Sequence, residues 1–448
     1  MMRKKILAMA VGISLSMPLW SGVVNASVLD NPQDKVYVEH NVLPDNGKAK
    51  KEMLTMSEVE KLAPLTNKLV DKQVIPEAAR LYRYLLAVPQ AGKVIYGHQN
   101  DTHHKMFLVD SGSESDCKDV TGSIAGVVGL DSLSLTGDEL KLTAAEKASG
   151  VTCTDKLVQV AADADRQGAI LTLSMHMPNF DVVAKKPRIN GAYDFQGYSP
   201  HVLTGNVGKR ILPGGDLNEV YRAYLDIVAD FALRLQERHI PVIFRPLHEH
   251  NGFWFWWGGR NISSNDFTAL WKYTAEYMRD VKGVHNFLYA YSPNGPFADD
   301  KAYLDRYPGD DYVDIFGVDT YDDDQSGAWY KNLAQTLTVM EKLGQMRHKA
   351  IALTEAGVRK GGSLAVHDNV DKQWFAKTGA ICREHKAAYY MVWANFDKEE
   401  HNFFMPYMVA DKRGHEMINE FTAFYNEPDS IFADGNTHYK KLQTGTVK

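Results

Sequence analysis

The stretch PVIFRPLHEHNGFWFWWGG, residues 241–259, decides the fold. Its β-branched and apolar opening, Val242, Ile243 and Phe244, predicts a buried strand over 241–249. The pattern then turns polar and sets Arg245, His248, Glu249 and His250 where such a strand would end. Phe253, Trp254, Phe255, Trp256 and Trp257 crowd the turn that follows. Packing alone explains a Trp-rich loop, but not an acid, a guanidinium and two imidazoles beside it. Aromatic faces stack on the C–H faces of sugar rings while polar groups hold hydroxyls, so the tip reads as a carbohydrate site.

Outward from this strand, short apolar runs alternate with helical patterns, the sign of parallel βα units. Strands are predicted at 94–98, 124–131, 169–176, 241–249, 286–292, 312–321, 349–355 and 387–395. Helical patterns cover 76–88 before them, 155–167, 218–239, 266–281, 328–343 and 370–385 between them, and 415–425 after them. In the first helix Ala78, Leu81, Leu85 and Val88 mark the buried face. Eight strands, each running into polar residues, predict a (β/α)8 TIM barrel with its active site at the C-terminal ends of the strands. The tips carry His98, Asp131, His176, then Arg245 with His248 and Glu249, then Ser292, Asp319 with Tyr321, Glu355, and Trp393 with Asn395. The long connection 177–216, with Asn179, Phe180, Tyr193, Phe195 and Tyr198, is expected to lie over the same face as one wall of a groove.

With 448 residues, 44% of them apolar, the chain can bury a large core. A net charge of −6 without a basic stripe argues against a nucleic-acid partner. Arg3, Lys4 and Lys5 precede the apolar run Ile6 to Trp20, and Val24-Asn25-Ala26 offers small residues for cleavage. This pattern predicts a signal peptide over 1–26 and export, to the periplasm or the medium, with no membrane attachment after cleavage. Residues 27–70 read as a leader, 71–430 as the catalytic domain and 431–448 as a tail; a monomer is expected. Of the three cysteines, Cys117 and Cys153 can pair in an exported protein, whereas Cys382 reads as a buried thiol.

Glu249 and Glu355 fall on the tips of strands four and seven, which face each other across a barrel mouth. Two carboxylates in a sugar cleft suit glycoside hydrolysis, and the retaining version needs them about 5–5.5 Å apart. The Trp-rich loop beside Glu249 favours its protonated form, as a general acid requires. Arg245 and Tyr321 can hold Glu355 as a nucleophile, the competing reading being a structural ion pair with Arg245. His176 and His248 can donate to sugar hydroxyls or orient a glutamate. Trp393 can floor the site and Trp254 extend it, unless both indoles are core.

The segments RPLHEHNGFWFWWG, DTY at 319–321, ALTEAG and VWANF together resemble glycoside hydrolase family 26, the family dominated by β-mannanases. The resemblance spans about 90–430. It implies Glu249 as acid/base, Glu355 as nucleophile, and Arg245, His248, Trp254, Tyr321, His176 and Trp393 around the cleaved bond. It implies β-1,4-mannosidic bonds of mannan, glucomannan or galactomannan as substrate, no cofactor and no catalytic metal. Some members act instead on β-1,3-xylan or mixed-linkage β-glucan. Two other classes remain: a metal-dependent barrel hydrolase using His98, His103, His104, His176, His248 and His250, and a sugar-binding barrel without catalysis.

Overall fold

The computed structural model describes residues 36–40, 52–64, 68–396 and 402–443. The expected signal peptide lies outside these residues, as does the end of the expected tail. Eight parallel strands form the frame: β1 (Val94–Gln99), β2 (Val127–Asp131), β3 (Ile170–Ser174), β4 (Val242–Arg245), β5 (Phe287–Tyr291), β6 (Ile315–Asp322), β7 (Ala350–Val358) and β8 (Tyr389–Val392). Each pairs with the next, and β8 returns to β1 through Ile95 opposite Tyr389 and His98 opposite Val392. The sheet is therefore a closed barrel, as the alternation of runs predicts.

Side chains alternate across each strand, so one parity fills the barrel. Ile95, Val127, Ile170, Ile243, Leu288, Ile315, Ala350 and Tyr389 belong to one buried cluster inside it. Their neighbours Tyr96, Val128, Leu171, Phe244, Tyr289, Phe316, Ile351 and Tyr390 join the larger cluster between strands and helices. Gly129 has no room for a side chain, because a Cβ there would run into the Gln99 amide and the Met391 sulfur. Following the inner parity upward leads to Gln99, Asp131, His176, Arg245, Ser292, Asp319 and Trp393 at the C-terminal mouth. His98 has the other parity. It is wholly buried behind β1, with Nδ1 2.8 Å from Asp101, so its expected place on the common face is corrected.

The helices follow the predicted periodicity with small changes at their ends. They run Cys153–Arg166, Asn218–Gln236, Ser264–Glu276, Ala328–Arg347, Trp374–Glu384 and Ile418–Tyr425. Helix Pro76–Gln90 buries Ala78, Leu81, Leu85 and Val88 against the barrel floor. Of the segments read as leader and tail, residues 52–64 and the chain through Tyr439 also pack there, whereas Val38 and Glu39 pair with Gly414 and Arg413 instead. Helix Met56–Leu62 is capped by a reciprocal Thr55–Glu58 box and buries Val59. Ser430–Ile431 adds a parallel strand beside β1, and Tyr439 stacks on Tyr84 with ring centres 6.0 Å apart. Cys117 and Cys153 are separate free thiols, one buried in helix Asp116–Thr121 and one opening the next long helix, so their pairing is corrected. Cys382 is a buried free thiol. Among the described residues no helix is long and apolar enough to cross a membrane.

Asn436 fastens the last segment to the floor. Its amide donates to the carbonyls of Gly126 and Gly168, both at 2.9 Å, and accepts from the Tyr84 hydroxyl at 3.1 Å. Asn436→Ala strands these partners in a buried place, at a cost of about 2–3 kcal/mol. The melting temperature of this variant should fall by several degrees; an unchanged value would show that the segment is not part of the cooperative fold.

Candidate active site

The strand predicted over 241–249 ends at Arg245, and this corrects its length. Beyond it the chain coils tightly, with Leu247 and Glu249 in the left-handed region at φ 52° and 50°. Non-glycine residues occupy that region at an expense on the order of 1 kcal/mol each. Fixed contacts hold the coil: Glu249 N–H donates to Ser292 O at 2.8 Å, and Trp257 Nε1 donates to His248 O at 2.8 Å. Trp256 and Trp257 are buried, as is Phe255, whereas Phe253 is 56% exposed and Trp254 half-buried. The aromatic run is thus mostly an anchor, with the Phe253 and Trp254 rings left at the rim.

Glu355 reaches the interior through a bulge. Ala350 and Ala352 face inward, so strict alternation would turn Glu355 outward. Instead the register with β6 shifts, placing Val318 opposite Leu353 but Asp319 opposite Glu355. Thr354 is the extra residue, and its hydroxyl donates to Asp319 Oδ1 at 2.7 Å. Arg245 then lies between the two carboxylates, 2.7 Å from Asp319 Oδ2 and 2.9 Å from Glu355 Oε2. Tyr321 donates to the other oxygen of Glu355 at 2.5 Å. Both oxygens accept, which is the pattern of a carboxylate rather than an acid.

Glu249 has a different setting. Burial raises its carboxyl pKa well above the ordinary range, and the charges of Glu355 and Asp319 raise it further. The Trp254 indole N–H donates to Glu249 Oε2 at 2.7 Å and offsets part of this. One carboxylate is clamped by donors, and the other is pressed toward its protonated form by burial and, after that, by the first.

His176 and His248 meet each other rather than a glutamate, with Nε2 atoms 3.1 Å apart. Asp131 lies 2.7 Å behind His176 Nδ1 and also accepts from Ser174 Oγ at 2.6 Å. Burial opposes charge on His176, but Asp131 prevails and raises its pKa. Burial, then His176 and Arg245, lower that of His248 far below the ordinary value. His176 therefore carries the proton of the pair, donating to Asp131 and to His248. Trp393 packs edge-on against His176 at 5.5 Å, and Phe255 closes the other side at 5.4 Å.

All eight predicted site residues thus come together at the mouth. Their partners Asp319 and Asp131 were visible as strand tips, but their bonds were not. Glu139, whose carboxyl is pushed up to about 7 by burial and by Asp131, had no sequence signal. His250 does not join the site: it lies buried between Phe267 and Tyr291, at 4.3 and 4.9 Å. Among the described residues no group of three or more His, Cys, Asp or Glu is placed to hold a metal ion.

The glycosyl hydrolase family 26 profile matches residues 70–405. The mannan endo-1,4-β-mannosidase of Bifidobacterium adolescentis is 35% identical over 372 residues, covering 80% of this chain and 35% of that protein. A second, from Bacillus subtilis, is 31% identical over 223 residues, covering 48% and 55%. The chain thus spans between about a third and just over half the length of these curated relatives. The solved catalytic domain of the Bacillus sp. JAMB-750 GH26 endo-β-1,4-mannanase superposes with a TM-score of 0.73 at 34% identity, over 85% of this chain and 98% of that one.

The raised pKa of Glu249 has a consequence for stability. Ionising this carboxyl is harder in the fold than in the unfolded chain. The penalty is absent below the unfolded value and grows as pH rises from there toward the folded one. Glu249→Gln removes it. The variant should melt above the wild type at neutral pH, with the gain vanishing below about pH 4. An equal gain at both pH values would show that Glu249 is not under this strain.

Proposed function

Because the chain belongs to glycosyl hydrolase family 26, we propose that it is a retaining β-mannanase cleaving β-1,4-mannosidic bonds in mannan, glucomannan or galactomannan. The observation that carries this is the pair of unlike carboxyls, Glu249 raised by burial and then by the charge of Glu355, and Glu355 held at both oxygens. In this mechanism Glu249 protonates the departing glycosidic oxygen while Glu355 attacks the anomeric carbon and forms a glycosyl ester. Glu249, now a base, takes a proton from water, which attacks the anomeric carbon and releases Glu355.

Arg245 and Tyr321 orient the nucleophile. Trp254 fixes the acid, and Trp393 with the His176–His248 pair borders the sugar. The names of the relatives point to mannan. The basic, apolar, small-residue order of residues 1–26 supports export, which a polymer too large to enter a cell would require.

The test is incubation with linear β-mannan in the presence of a chelator, with products separated by size over time. A ladder of β-1,4-mannooligosaccharides is expected. Glu355→Ala should lower the rate roughly a thousandfold or more while oligosaccharide binding persists. Glu249→Ala should do the same on mannan but spare glycosylation by aryl glycosides with good leaving groups. Intact mannan alongside degraded β-1,3-xylan or mixed-linkage glucan would overturn the substrate, and full activity in Glu355→Ala would overturn the mechanism.

A further inference from the structure

The connection after β3 contains a residue that the two-glutamate chemistry does not use. Tyr198 is 46% exposed, yet burial and the charges of Asp131, Glu139, Glu355 and Glu249 all act on its phenol. A ring in the wall of an open cleft has this combination. Its hydroxyl lies 3.0 Å from His201 Nε2, and His201 Nδ1 lies 2.8 Å from the carbonyl oxygen of Trp254. A carbonyl only accepts, so Nδ1 carries the hydrogen, and in the neutral ring Nε2 is left to accept from Tyr198.

His201 is itself locked. Its ring is parallel to Phe255, 5.2 Å away, and Phe255 lies edge-on against His176 and His248 at 5.4 and 5.3 Å. Trp256 N–H donates to Pro200 O at 3.0 Å and ties the same loop to the β4 tip. Tyr198 thus stands edge-on to the fixed ring of His201 at 5.4 Å, with its one polar group already engaged, two rings away from the histidine pair. What it offers the cleft is a flat apolar face, and the matching chemistry is the C–H face of a pyranose.

We infer that Tyr198 is a stacking platform for a sugar unit beyond those flanking the cleaved bond, and that His201 is the positioning residue that fixes its orientation. The inference rests on the glycosidase reading above and extends it from the reacting bond to the length of chain the cleft prefers. Trp254 links the two: its carbonyl holds His201 and its indole holds Glu249, so the platform and the acid share one support.

The test is kcat and KM for Tyr198→Ala, Tyr198→Phe and His201→Ala on β-1,4-mannooligosaccharides of increasing length, from mannotriose to mannohexaose. Wild type should gain kcat/KM as the chain reaches the platform. Tyr198→Ala should erase that gain, losing about tenfold through KM on long chains and little on the shortest one. Tyr198→Phe, which keeps the ring, should retain most of it, and His201→Ala should fall between. An equal loss at every length, or none, overturns the proposal while leaving the glycosidase reading in place. If wild type degrades no mannan, β-1,3-xylan or mixed-linkage glucan, that reading fails and the platform falls with it.

Discussion

One guanidinium organises this site. Arg245 is buried at the end of β4 with a carboxylate on either side, Asp319 and Glu355. Three charges in so dry a place are stable only together; removing the cation would leave two carboxylates facing each other, at a loss of about 3–5 kcal/mol. Two carboxyls share this one cation, so their mutual repulsion is only partly cancelled and is felt nearby. Asp319 is pushed up to about 8, by burial and then by Glu355 against the pull of Arg245. Glu249 is raised by burial and by the same neighbour. Burial, with the clamped Glu355 adding to it, therefore keeps a proton on Glu249 against the pull of Arg245.

The fold makes this arrangement by counting. Inner parity on β4 takes the chain from Ile243 to Arg245, and on β6 from Ile315 through Gly317 to Asp319. β7 would miss by one residue without the bulge at Thr354. That bulge is held by the hydroxyl of Thr354 on Asp319, so the residue that shifts the register also supports the ion pair. Below the mouth, helix Pro76–Gln90 and the segment through Tyr439 close the floor. The strained backbone at Leu247 and Glu249 persists because Trp257 anchors the His248 carbonyl from a fully buried position.

Much of this was legible in the sequence because it rests on period. Alternating runs gave the barrel, and strand tips gave Arg245, Glu249, Glu355, His176, Tyr321 and Trp393. The chain VIFR says that Arg245 faces inward if Ile243 does. The same parity on VIYGHQ places His98 outside, a signal present in the sequence but outweighed by its position at a tip. The bulge left no such mark, since Thr354 is an ordinary strand residue. Nor did the pairing of Asp131 with His176, which depends on neighbouring strands rather than on spacing along one. Glu139 lies in an irregular polar stretch, where burial cannot be read from pattern. The separation of Cys117 from Cys153 is likewise a three-dimensional fact, because each belongs to its own helix.

The aromatic run after β4 shows why composition alone misleads. Five large rings in succession suggest a broad platform, but three of them are spent on holding the loop. Trp256 reaches back to Pro178 O at 3.2 Å, Trp257 secures His248, and Phe255 fills the space between the histidines and His201. Burying these rings is what allows a short coil to hold two left-handed residues and a desolvated acid in one conformation. The cleft then needs other rings to meet its ligand, and the connection after β3 brings Tyr198 to the same wall. The two loops are joined by hydrogen bonds at Pro200 and His201, so a change in either transmits to the carboxyl of Glu249 through the single indole of Trp254.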